Sequence, residues 1–303
     1  MRSKRSGSGA ASARQILPSA HLAAVYGLLV GLGGTGILGY LLATEEQELG
    51  WLPVLLFSAL SLLIQRSSFH LDSHVVYSLA GVIDVAAVLT LGPVGGALVA
   101  VLSGLTYLEL DALRHRKLSR RHLIVIPLFS AGLKALMALL GGIVYLQLDG
   151  PVPLSRLDGQ TALAAGALCL VWFVLGYLGW AIWDLLSSGW ARLRLLGRGA
   201  FPQALLIGLL PLPFGVIVAL VYTRLGWGAF GLLALLIVTV ALLVQRWACV
   251  RNELVQRVAE LSAIEQVGRM IAQVTATLEL DELFGRVVHL VRESFGYYHV
   301  SVY

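Results

Sequence analysis

Charge is what this chain of 303 residues has least of. Asp, Glu, Lys and Arg make up 13% of it, against roughly 25% in a soluble domain. Hydrophobic residues make up 58%, more apolar surface than one water-soluble core disposes of, so the chain reads as a polytopic membrane protein. Cysteine is scarce too. Cys169 and Cys249 are the two cysteines, each alone, which excludes a disulfide framework and a CxxC site. A nucleophile elbow, a metalloprotease helix and a P-loop are absent, so no enzyme and no cofactor is expected within these residues. The net charge of +5 does not point to nucleic acid, because the basic residues sit in short loops beside apolar runs.

What is there is a series of long apolar runs. Residues 1–20, rich in Ser, Gly, Ala and Arg, read as a disordered cytosolic tail. The run 22–43 is too long for a signal-peptide core and has no small-x-small cleavage pattern, so it reads as an uncleaved first span. Further spans are expected at about 51–65, 75–91, 94–110, 123–146, 161–183, 204–222 and 226–245. A tight turn is expected at Gly92-Pro93, a kink at Pro211 and Pro213, and an interfacial amphipathic piece over 184–203. Basic residues fall on alternate connections: Arg114, Arg116, Lys117, Arg120 and Arg121 in one, Arg192, Arg194 and Arg198 in another, Arg246 and Arg251 after the last span. Only Arg156 and Arg224 fall on the other side, so both ends are placed in the cytosol of a multi-pass protein of the bacterial inner membrane.

The segment 226–245 carries no charge and is long enough to cross a hydrocarbon core of about 30 Å. The helical pattern then continues through Val250, Leu254, Val258, Leu261, Ile264, Val267, Ile271, Val274 and Leu278. From the first to the last of these there are 28 residues in eight steps, a mean of 3.5, the seam of a coiled coil. The domain reading is thus a tail (1–20), a transmembrane sensor domain (21–245) and a coiled-coil signalling helix (246–278). Leu254, Val258, Leu261, Ile264 and Ile271 would form the seam of a parallel homodimer.

Three groups of residues carry candidate chemistry. Asp84 and Lys134 are ionisable and fall near the middle of their spans, where a charge costs at least about 2.5–3.5 kcal/mol unless paired or hydrated. Their opposite signs and similar depth suggest a pair, as a structural clamp or as part of a ligand or proton site. His70, Asp72 and His74 alternate at a membrane edge; in an extended segment all three would point one way, as a metal or pH site or as ordinary polar loop residues. Gly31, Gly33, Gly34 and Gly36 fit the letters of a dinucleotide fingerprint, but no strand precedes them. Close helix packing is the reading taken for them.

From Leu261 the chain reads LSAIEQVGRMIAQVTATLELDELFGRVVHLVRESFGYYHVSVY. This resembles the opening of a GAF domain over 261–303: a signalling helix, a Leu-Asp-Leu-type turn capped at Asp281, a second helix, and a first strand at 299–303. The part before it, with the Leu91-Gly92-Pro93 turn, the basic loop 111–122 and the span 129–145, resembles the multi-span sensor region of bacterial HD-GYP, GGDEF or histidine kinase receptors. The resemblance implies an all-α polytopic membrane protein of about eight transmembrane helices, then a signalling helix and the truncated start of an α+β GAF domain. It also implies a stimulus from a small molecule or the lipid bilayer and an output enzyme beyond residue 303. A transporter or small-molecule carrier is the alternative, since spans broken by Gly and Pro can line a site.

Overall fold

The computed structural model describes residues 17–44, 50–66, 69–72, 75–77, 79–106, 120–188, 208–209, 211–275, 285 and 287–291. The elements are α1 (Leu17–Thr44), α2 (Trp51–Arg66), a short hairpin of β1 (Phe69–Asp72) and β2 (Val75–Tyr77), α3 (Ala80–Leu105), α4 (Arg120–Gln147), α5 (Gly159–Ser188) and α6 (Leu212–Thr275). Five of these helices contain stretches long and apolar enough to cross a membrane; α2 is shorter. The chain divides into two units, residues 1–243 and 244–303. Helix α6 gives 212–243 to the first and 244–275 to the second.

In the first unit α4 is central, with α1, α3 and α5 packed against it. Glycine sets the α1 contact. A Cβ on Gly31 would strike Leu128, and one on Gly34 would strike the Gly132 carbonyl. Gly33 and Gly36 face open space. The glycine letters are therefore a packing stripe, with every second one used. Aromatic rings fill the next layer: Phe129, fully buried, stacks on Trp183 at 4.9 Å and meets Trp180 edge-on at 5.1 Å.

Helices α3 and α6 are each broken by one glycine. Gly92 has φ 82° and ψ 177°, and Gly226 has φ 76° and ψ −173°. Only glycine adopts this backbone without strain. Both breaks turn the chain back on itself. Ser103 reaches Asp84, nineteen residues earlier, at 3.2 Å, and a Cβ on Gly96 would strike the backbone of Val88. The Tyr222 and Phe230 rings meet at 5.2 Å. In a straight helix residues eight apart stand about 12 Å from each other. So α3 is a helical hairpin with arms 80–91 and 93–105, and α6 begins with a second, with 212–225 as its first arm. The turn expected at Gly92-Pro93 is present. Its arms are shorter than expected, about 18–20 Å each by helical rise. Residues 75–77, expected to open a span, lie instead in β2, as their β-branched and aromatic side chains favour.

Pro213 does not kink a span. It falls in the first turn of α6, which begins at Leu212, where a missing N–H removes no helical bond. At the other end of the bundle α4 closes in a Schellman motif. The Gly150 N–H bonds the Tyr145 carbonyl at 3.0 Å and the Asp149 N–H bonds the Leu146 carbonyl at 3.0 Å. Asp149 occupies the left-handed position, φ 59°. The interfacial piece expected over 184–203 is helical as far as Ser188; the rest lies outside the described residues.

In the second unit residues 244–275 are helical, and Val250, Leu254, Val258, Leu261 and Ile264 are all more than half exposed along it. Arg257 and Arg269 pair with Glu253 and Glu265, each one turn back on the same helix. The expected Asp281 cap and the strand at 299–303 lie outside the described residues.

Candidate functional site

Four polar residues of the first unit converge on one point. Helix α2 brings Ser61, the first arm of α3 brings Asp84, the second arm brings Ser103, and α4 brings Lys134. Asp84, Ser61 and Ser103 are fully buried, whereas the Lys134 side chain keeps 16% of its surface exposed. Lys134 Nζ donates to Asp84 Oδ2 at 2.9 Å and to Ser103 Oγ at 2.7 Å. Ser61 Oγ donates to Asp84 Oδ1 at 2.6 Å. Ser103 Oγ lies 3.2–3.3 Å from both carboxylate oxygens.

The hairpin fold is what makes this possible. Without the reversal at Gly92, Asp84 and Ser103 would stand about 28 Å apart along one helix. The carboxylate is thus matched by one cation and two hydroxyls, the condition under which a charge survives away from water. What the cluster can do is hold the α3 hairpin against α2 and α4, and present one partly open cation. One turn from Ser61, Ser58 Oγ is buried and has no hydrogen-bond partner among the described residues.

Asp84 and Lys134 are the two residues the apolar background makes visible. Ser61 and Ser103 are not, because single serines are ordinary in apolar helices and only the chain reversal brings them in. His70 and Asp72 lie on β1, paired with Val76 and Val75 across the hairpin, with an irregularity between them. Their side chains, and His74, lie outside the described residues. Among the described residues no three His, Cys, Asp or Glu come together as a metal site.

A second polar construction begins α5. Asp158 Oδ1 accepts the Thr161 N–H at 2.9 Å and the Thr161 hydroxyl at 2.6 Å, while the Asp158 N–H donates to Thr161 Oγ1 at 2.8 Å. These two bonds from Thr161, side chain first and backbone second, hold the Asp158 carboxyl below the ordinary aspartate range.

Family models, characterised proteins and solved structures were all compared with the chain. None of them matches it.

Proposed function

We propose that this chain is the membrane-embedded input region of a bacterial signalling receptor, and that it works as a parallel homodimer. The observation that supports the reading most is the exposed apolar row Val250, Leu254, Val258, Leu261 and Ile264 on the 244–275 helix. Five apolar side chains more than half exposed on one helix face call for a cover, and their spacing near 3.5 residues suits a second copy of the same helix. Two chains anchored in one membrane would present that face in parallel. In this reading eight membrane segments, counting both arms of each hairpin, put the two ends in the cytosol. In the same reading the segment 261–303 begins a GAF domain that receives the change. The stimulus would bias the packing around Asp84 and Lys134, and the helix would carry the change.

The topology is tested by reporter fusions. Fusions at Arg116 and Arg251 are expected to read cytosolic, and one at Asp149 external. An external reading at Arg116 would overturn it.

The alternative, a small-molecule carrier, draws on the two glycine-broken helices and the charge pair beside one of them. Carriage predicts substrate flux that depends on Lys134 and not on Leu254 or Leu261. The receptor reading predicts the reverse: no flux, and dimerisation that depends on the row.

A further inference from the structure

The two hairpins correspond to one another. Set 134 residues apart, Gly81-Val82-Ile83 falls on Gly215-Val216-Ile217 and Leu91-Gly92 on Leu225-Gly226; Leu98, Ala100 and Leu102 fall on Leu232, Ala234 and Leu236. That is eight identities over residues 81–103. In a chain so rich in Leu, Val, Ala and Gly this would mean little alone, but three structural features agree with it. The two turn glycines share one backbone conformation. The contact that closes each hairpin joins equivalent positions, Val88 with Gly96 in the first and Tyr222 with Phe230 in the second. Among the described residues each hairpin is also preceded by two apolar helices, α1 and α2 before the first, α4 and α5 before the second.

One residue from outside the hairpins touches both. Leu154, in the loop between α4 and α5, is fully buried. Its N–H donates to the Leu89 carbonyl at 2.9 Å. That carbonyl is orphaned by the turn, because the residue four positions on is Pro93, which has no N–H. The Leu154 carbonyl in turn accepts the Thr223 hydroxyl at 2.6 Å. Leu89 and Thr223 are equivalent under the same 134-residue shift. Beside them Arg224 Nε donates to the Ser155 carbonyl, and Val152 lies against the Gly92 turn.

We infer that the hairpins are two copies of one unit and that the Leu154 backbone clamps them at equivalent positions, so that the α4–α5 loop sets both tips together. The copies have diverged in content. The first holds Asp84 and Ser103, where the second has Val218 and Ile237. The clamp therefore couples the copy that holds the charge pair to the copy that lacks it, and a change at either tip is felt at the other because both bond the backbone of one residue, Leu154.

The test uses the full chain in membrane vesicles with Cys249→Ser, so that buried Cys169 remains as an internal reference. Single reporters are placed at two fully buried alanines, Ala97→Cys in the first hairpin and Ala219→Cys in the second. Maleimide labelling rates are read peptide by peptide. Thr223→Val, which removes the second hairpin's bond to Leu154, is expected to raise labelling at Ala97→Cys in the first by about threefold to tenfold, the range of one hydrogen bond. Labelling of Cys169 should not change, and Thr223→Ser, which keeps the hydroxyl, should restore the low rate. The converse variant, Leu154→Pro, removes the N–H that reaches Leu89 and should raise labelling at Ala219→Cys. Effects confined to the hairpin that was altered, an equal rise at Cys169, or no rise would each overturn the clamp.

Discussion

Asp84 and Lys134 stand 2.9 Å apart, nitrogen to oxygen, on two different helices of an apolar bundle. Removing Asp84 leaves Lys134 partly buried with no counter-charge, and breaking a buried pair in this way costs up to about 3–5 kcal/mol. Asp84→Ala is therefore expected to lower the folded yield sharply. The double change Asp84→Ala with Lys134→Ala should recover much of it. A double-mutant cycle on detergent melting midpoints reads the coupling; losses that simply add would show no interaction.

Gly31, Gly33, Gly34 and Gly36 of α1 divide by face. Gly34→Ala drives a methyl group into the Gly132 carbonyl and should destabilise by about 1–3 kcal/mol, the cost of overpacking. Gly33→Ala and Gly36→Ala meet nothing within 4 Å. Each should be neutral or should stabilise by up to about 1 kcal/mol, as Ala for Gly in a helix does. Thermal midpoints of the three variants decide it. Similar losses at all of them would contradict the packing stripe.

At the end of α4, Asp149 sits where glycine is preferred. Asp149→Gly should raise stability by up to about 1 kcal/mol, and Asp149→Val should lower it. A fall for Asp149→Gly would mean that the carboxylate, not the backbone conformation, matters at this corner.

Asp158 gives a pH dependence whose sign follows from its hydrogen bonds. The folded carboxyl titrates below its unfolded value, so its contribution is present above the ordinary aspartate range, about pH 4, and is lost as pH falls through the lowered value. Asp158→Asn should therefore melt below wild type at pH 7, and the two should converge in acid. A gap that widens in acid would contradict the cap.

Much of the helical layout was legible because a membrane imposes length and apolarity on each segment. The Gly92-Pro93 reversal was legible for a local reason, since few dipeptides end a helix so firmly. The Gly226 reversal was less so. Leu-Gly-Trp in an apolar run reads as a boundary between spans, and only the backbone at φ 76° shows that it is the same turn. In the polar cluster the charges were visible and the serines were not, since what joins Ser61 and Ser103 to Asp84 is tertiary. The Leu154 contacts were hidden for the same reason. A leucine in a loop carries no sign that its backbone, rather than its side chain, is the connecting group.

The exposed row on the 244–275 helix carries the functional reading, and disulfide cross-linking tests it most directly. In a full-length chain with Cys169 and Cys249 replaced by Ser, single cysteines at Leu254, Leu261 and Ile264 are expected to cross-link between copies in native membranes. Cysteines at Glu260 and Arg269, off that face, should do so poorly. Equal cross-linking at all five positions, or none at any, would contradict a dimer through this row and with it the reading of the chain as a receptor.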